Sequence, residues 1–201
     1  MQNYSQNNEQ QIILDYFKDK VGSFLDAGAN DGKTFSNTRA LVELGWRGVL
    51  IEPSPKAYAS LKENCKGFPV YTYPYALGTT NDMVKMWDSE THLNKGDHGL
   101  LSTMSEDDYN KWKGSTKFNE IEVKCFRWKT FLNRLKIKEF DFISVDCEGQ
   151  DYNILSQIDL RSTSLVCVEH NGDPNKKLEF DKLMIGFRLL YTSSENLIYG
   201  R

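Results

Sequence analysis

Short apolar runs alternate with helix-period segments along this chain, and that alternation predicts its architecture. Phe24 and Leu25, residues 48–51, residues 140–145 and residues 164–168 are near-continuous apolar stretches, which read as strands buried on both faces of a parallel sheet. Ahead of them, Ile12, Ile13, Tyr16 and Phe17 share one face of a helix over 8–20. After the first strand, Phe35, Thr38, Leu41 and Val42 repeat at helical spacing up to a C-cap at Gly45. After the second, Tyr58, Leu61 and Cys65 do the same. Residues 70–78 are aromatic and β-branched and read as a third strand, with Pro74 marking an edge or a bulge. A helix is expected over 128–135, and another after Asp173-Pro174 with Leu178, Leu183 and Met184 inward. Residues 187–192 and 196–199 flank a Ser-Ser-Glu turn and form a closing antiparallel hairpin. The pattern predicts an α/β, Rossmann-like fold with helices on both faces of one mainly parallel seven-stranded sheet, in the strand order 3-2-1-4-5-7-6. It is read as a single domain over 1–201, with an irregular insertion at about 79–119 flanked by possible added strands at 83–87 and 120–126.

The chemistry gathers at strand ends. The first strand runs into Asp26-Ala-Gly-Ala-Asn-Asp-Gly32. Gly28 lets the backbone approach a ligand closely, and the first N–H groups of a following helix are donors without intrahelical partners. Asp26 and Asp31 would repel a pyrophosphate and favour a cation, and Gly28 with Gly32 does not make G-x-G-x-x-G. S-adenosylmethionine, with its sulfonium and α-ammonium, suits that charge. A plain β-turn before a surface helix would leave the same trace. Glu52 then ends the second strand, about 20 positions after Gly32, where doubly wound folds place the acid that holds a ribose diol. Ser54-Pro55 supplies a cap and first-turn proline for the next helix, which leaves Glu52 to face the crevice. Ala76 and Leu77 are either the small apolar neighbours an adenine needs or an ordinary strand end.

Several blocks in register now carry a resemblance. Ser5-Gln6 with Glu9, the segment from Asp26 to Gly32, Ser36-Asn37-Thr38, Gly45-Trp46, Ile51-Glu52-Pro53, Asp146-Cys147-Glu148-Gly149, Val168-Glu169-His170 and Asn196-Leu197-Ile198-Tyr199 resemble the FkbM-type S-adenosylmethionine-dependent methyltransferases. The likeness runs from Ser5 to Tyr199. It implies a class I methyltransferase fold and methyl transfer to oxygen, commonly on a sugar or natural-product hydroxyl. It implies too that Gln6 and Glu9 close over the cofactor. The expected cofactor-binding set is Gln6, Asp26, Gly28, Ala29, Asn30, Asp31, Gly32, Glu52, Pro53, Ser54, Ala76, Leu77 and Asp146. The chain departs from the family pattern between Gly78 and Asn119, which leaves the acceptor open.

Composition narrows the rest. A length of 201 residues suits one core, and 39% hydrophobic content with 12% aromatics argues against a disordered chain. A formal charge of −3 gives no basic excess for nucleic acid. No apolar run reaches membrane-spanning length, and the polar N-terminus does not read as a signal peptide. Cys65, Cys125, Cys147 and Cys167 are scattered without a C-x-x-C pair, which reads as free thiols in a reducing, cytoplasmic setting rather than zinc ligands.

A sugar hydroxyl is too weak an acid to ionise at neutral pH, so its methylation needs a base or a metal. The catalytic candidates are Asp146, Glu148 and His170, projected with Glu169 from the fourth and fifth strands, and His92 and His98 lie in the insertion. His170 has the most suitable unperturbed pKa, with a hydrogen-bonded structural histidine as the alternative. Asp146, Glu148 and Glu169 could hold a divalent cation, although no H-x-x-x-H or EF-hand spacing supports one. His92, Gly96, His98, Gly99, Ser102 and Trp112 mix polar and aromatic groups in a way that suits a small-molecule or glycan acceptor. Two other classes stay open at this point: a nucleotide-dependent oxidoreductase, and a non-catalytic S-adenosylmethionine-binding module.

Overall fold

The structure, a computed structural model, describes residues 2–93 and 97–201. Gly96 therefore lies outside the described residues. Seven strands form the main sheet: β1 (Ser23–Ala27), β2 (Arg47–Ile51), β3 (Val70–Tyr73), β7 (Phe142–Val145), β8 (Leu165–Glu169), β9 (Arg188–Thr192) and β10 (Asn196–Gly200). Their spatial order is β3-β2-β1-β7-β8-β10-β9. Counting only these seven strands along the chain, that is the expected 3-2-1-4-5-7-6. Strands β3, β2, β1, β7 and β8 run parallel, and β10 lies antiparallel between β8 and β9.

Side chains alternate between the two faces, as the two-residue period of a strand dictates. Leu25, Val49, Ile143, Val166 and Leu197 pack with Phe131, Ile154 and Phe180 of α5 (Trp128–Leu132), α6 (Asp151–Leu155) and α7 (Pro174–Leu183). Phe24, Leu50, Phe142, Leu165 and Ile198 pack on the other face with Ile13, Phe17, Leu41, Trp46 and Leu61. Those come from α1 (Glu9–Phe17), α2 (Arg39–Glu43), α3 (Pro55–Asn64) and the turn after α2. Each of the central strands therefore serves two cores, which is why they read as unbroken apolar runs.

Three local expectations change. The helix after β1 begins only at Arg39, because Phe35 has φ +52 and is 40% exposed, so its apolar spacing is not helical packing. Leu178 points outward at 56% exposure, and Phe180 takes its place in the core. Residues 70–78 are not one strand. Pro74 cannot donate to a ladder, and the chain leaves the sheet there. Ala76 and Leu77 instead form β4, which pairs in parallel with Cys125 and Phe126.

That detour starts a second sheet. β4 (Ala76–Leu77), β6 (Phe118–Phe126) and β5 (Met83–Ser89) lie in that order, with β5 antiparallel to β6 from Met83↔Lys124 to Ser89↔Phe118. Both expected added strands are present. Between them, Trp87 exchanges backbone hydrogen bonds with Thr103, and α4 (Glu106–Trp112) is capped by Ser105, whose Oγ accepts from the N–H of Asp108. Trp87 stacks on Tyr109 with ring centroids 4.7 Å apart.

Candidate active site

A cavity of about 320 Å³ opens at the carboxyl ends of β1, β2, β7 and β8, where open α/β sheets bind ligands, and its far wall comes from the insertion. The volume falls at the low end of the range usual for small-molecule sites. Of the residues named as cofactor-binding or catalytic candidates, Gln6, Asp26, Gly28, Ala29, Asn30, Glu52, Pro53, Ala76, Leu77, Asp146 and Glu148 line it.

The loop after β1 is built from within. The N–H groups of Gly28 and Ala29 both donate to the Ile51 carbonyl, each at 3.0 Å. Gly28 has φ +85, and a Cβ there would sit 1.6 Å from the Asp146 carbonyl oxygen. The glycine is demanded by the end of β7 beside it, not by a ligand. Asp31 turns away from the cavity: one oxygen accepts from the N–H groups of Lys33 and Thr34, the other from the Thr34 hydroxyl. Gly32 and Ser54 also lie outside the cavity lining. The N-terminus of α2 offers no anion site, since Ser36 Oγ accepts from the N–H of Arg39 at 3.0 Å. Ser54 precedes α3 without capping it through its side chain, and its buried Oγ has no partner.

Two buried acids remain on this side. Asp26 accepts the Thr38 hydroxyl at 2.5 Å, and burial lifts its pKa to about 6 against that hydrogen bond. Glu52 accepts the N–H of Ser54 at 2.7 Å and of Asn30 at 2.9 Å. Burial nonetheless pushes its pKa up to about 8, with Asp88 and Asp26 adding repulsion. Glu9 does not reach the cavity; its carboxylate takes the Ser193 hydroxyl at 2.8 Å and ties the N-terminal segment to the β9–β10 turn. Asn7 joins that tie by donating to Glu195 at 2.6 Å, while Gln6, though exposed, lines the cavity.

The loops after β7 and β8 complete the opposite wall. Glu148 (φ +42) and Gly149 (φ +93) are both left-handed, a conformation that costs a non-glycine residue about 1–3 kcal/mol. Its neighbours hold it there. Asp151 accepts the N–H groups of Cys147 and Gly149, and the Thr103 hydroxyl donates to the Glu148 carbonyl at 2.7 Å. Single oxygens of Asp146, Glu148 and Glu169 lie within 4.8 Å of one another. Burial, then the charges of Asp151 and Asp26, raises Asp146 to about 7 against a hydrogen bond with Glu169. Burial and the charges of neighbouring carboxylates, Asp146 first, hold Glu148 and Glu169 well above the usual carboxylate range.

His170 is not brought to this wall. Consecutive residues at a strand end point to opposite sides, so Glu169 enters the cavity and His170 turns back. Its Nε2 lies 3.1 Å from the Ser193 carbonyl, the structural role named above as the alternative. His98 contributes its backbone, accepting the Asn30 side-chain amide at 3.0 Å. His92 and Trp112 do line the cavity, ring against ring at 6.1 Å. Asp97 shapes that lid by accepting the N–H groups of His92 and Leu93. Asn37, Asn171 and Glu195 also line it and escaped the site reading, although Asn37 sits inside one of the blocks that carried the resemblance.

No lysine or arginine occurs among the described residues that line this cavity, whereas Asp26, Glu52, Asp146, Glu148, Glu169 and Glu195 do. The lining therefore fits a cationic cofactor such as S-adenosylmethionine and opposes a pyrophosphate. The sheet order and the crevice at its carboxyl edge define the class I methyltransferase fold. The family model of the FkbM methyltransferase domain matches residues 26–189, and the chain belongs to that family. Among solved structures, it is similar to a methyltransferase FkbM from Methylobacillus flagellatus KT, at 10% identity and a TM-score of 0.55. That match covers 90% of this chain and 44% of the other, so the chain spans less than half of that relative. A precorrin-6y C5,15-methyltransferase from Geobacter metallireducens GS-15 matches over 100% of this chain and 92% of its own, at 11% identity and a TM-score of 0.52. WbdD matches at 12% identity and a TM-score of 0.50, over 96% of this chain and 39% of its own. At these identities the likeness is one of fold. No curated protein matches the sequence. No helix of the described residues is long and apolar enough to cross a membrane, and the four cysteines are free thiols.

Proposed function

We propose that the chain is an S-adenosylmethionine-dependent O-methyltransferase acting on a hydroxyl of a sugar, glycan or other natural product, as one domain whose insertion forms part of the acceptor site. The observation that carries this reading is the division of one cavity into two walls. Asp26, Glu52, Ala76 and Leu77 come from the β1, β2 and β4 ends, with the exposed Gln6 also in the lining. Asp146, Glu148 and Glu169 come from the β7 and β8 ends, and His92 and Trp112 from the insertion. In this reading Glu52 holds the ribose diol, Ala76 and Leu77 flank the adenine, and Asp26 faces the cationic end of the cofactor. S-adenosylmethionine supplies a methyl group on a positively charged sulfur.

Glu148 takes the proton of the acceptor hydroxyl. Burial and the charge of Asp146 favour its neutral form, and a positive charge brought into the cavity favours the carboxylate, which is the basic form. Asp146 and Glu169 orient the hydroxyl, and Trp112 offers an apolar face to a sugar ring. A binding module that performs no chemistry would have no use for this second acidic wall.

Calorimetry with S-adenosylhomocysteine and with NAD tests the cofactor, and only the former should bind. Methyl transfer to a panel of hydroxylated acceptors tests the reaction. Glu148→Gln should lower turnover while leaving S-adenosylhomocysteine affinity within about twofold, since the group acts mainly in the transition state. Loss of cofactor affinity in that variant, or methyl transfer confined to amines, would overturn the assignment.

A further inference from the structure

We propose that Asp146, Glu148 and Glu169 form a binding site for a hard divalent cation of the magnesium, manganese or calcium class. The three residues leave the sheet on two adjacent strand ends, β7 and β8, and each offers one carboxylate oxygen to a cluster in which the three lie within 4.8 Å of one another. Oxygen ligands sit about 2.0–2.6 Å from such cations, so two ligands of one ion are at most about 5 Å apart. The observed separations, all within 4.8 Å, meet that limit for calcium as they stand, and a smaller ion such as magnesium would need the carboxylates to draw together, to about 4.2 Å at most. An all-carboxylate set selects hard ions over zinc or copper.

An acidic cluster alone would be weak ground, and Glu169 adds a separate observation. It is 5% exposed, it lines the cavity, and its Oε2 has no hydrogen-bond partner. Glu148 Oε2 is likewise buried and unpartnered. Glu169 also shares a hydrogen bond with Asp146, and a buried carboxylate oxygen left without a partner is costly unless a cation or a proton answers it. Among the described residues no lysine or arginine lines the cavity to do so, and Lys176 offsets the charge only from outside that lining.

The consequence for chemistry rests on the methyl-transfer reading. An acceptor hydroxyl completing the coordination shell would be acidified by the ion. Its proton passes to the free oxygen of Glu148. Its oxygen forms the new bond to the methyl carbon as the carbon–sulfur bond breaks, and that electron pair stays on sulfur.

The test uses Mn²⁺, with binding followed by loss of the free-ion electron paramagnetic resonance signal, in the full chain without acceptor. One saturable site is expected, displaced by Mg²⁺ or Ca²⁺. Glu169→Gln and, separately, Glu148→Gln should each weaken it at least about tenfold. Thermal unfolding checks that each variant is folded, and the half-buried Glu148 serves if Glu169→Gln does not fold. No saturable Mn²⁺ binding, or binding unchanged in a folded variant, overturns the site. S-adenosylhomocysteine affinity is measured on the same samples. Its retention without Mn²⁺ binding rejects the cation alone, and Mn²⁺ binding without it rejects the methyl-transfer reading instead.

Discussion

The two walls of the cavity are acidic to a similar degree and are treated in opposite ways by the fold. On the β1–β2 wall, Asp26 has the Thr38 hydroxyl and Glu52 has two backbone N–H groups. On the β7–β8 wall and its lid, Glu148 Oε2, Glu169 Oε2, His92 Nδ1 and Trp112 Nε1 are buried with no partner. Unsatisfied buried polar atoms are costly, so a wall that keeps four of them is one whose partners arrive from outside. The acids of the first wall are finished before its ligand comes, and among its described lining residues only Asn37 Oδ1 is left buried without a partner. The second is completed by what it binds.

The largest break in this contrast comes from Gly28, where the walls touch. Gly28→Ala would place a methyl against the Asp146 carbonyl in a left-handed backbone, and we expect a loss of more than about 3 kcal/mol in denaturant unfolding. Glu52→Ala removes the partner of two buried N–H groups as well as the proposed diol contact. It should weaken S-adenosylhomocysteine about tenfold or more in calorimetry. Unchanged affinity would show that the finished wall does not hold the cofactor.

A pH series sharpens the comparison. Burial raises Glu52 from 4.5 to about 8 and Asp26 from 3.8 to about 6. Between the unfolded and folded values, the folded state binds protons that the unfolded chain releases, so stability falls as pH rises. The melting temperature of the ligand-free protein should drop between pH 5 and pH 8, and Glu52→Gln should flatten that slope. The smallest effect is expected at Ser54. Its hydroxyl caps nothing and has no partner, so Ser54→Ala should stay within about 0.5 kcal/mol, against about 1 kcal/mol for a true cap.

The finished wall was also the legible one. Apolar runs on Phe24, Leu50, Ile143 and Val166 serve two cores, and this made the sheet order readable from one chain. Asp26 and Glu52 followed because acids at the ends of such strands have few other places to point. Spacing failed where the backbone departs from regular structure. Phe35 has apolar periodicity but a positive φ, and Asp31 is spent on its own turn. Glu169 and His170 are neighbours in sequence, and only the exit of β8 decides which faces the cavity. Glu195 lines the cavity from what reads as a mere hairpin turn. The lid depends on Thr103 pairing with both Trp87 and the Glu148 carbonyl, long-range contacts that no local pattern announces.

Where the insertion sits bears on how such a protein can diversify. Phe24 pairs with Phe142 at the centre of the sheet, and β4, β5, α4 and β6 all lie within the stretch that this pairing closes. The entropy of closing a long loop grows only logarithmically, so doubling its length costs about 0.6 kcal/mol. Descendants of this sequence can therefore lengthen, trim or replace the lid at little thermodynamic cost. The acceptor can change over evolutionary time while the sheet and the wall bearing Asp26 and Glu52 stay as they are.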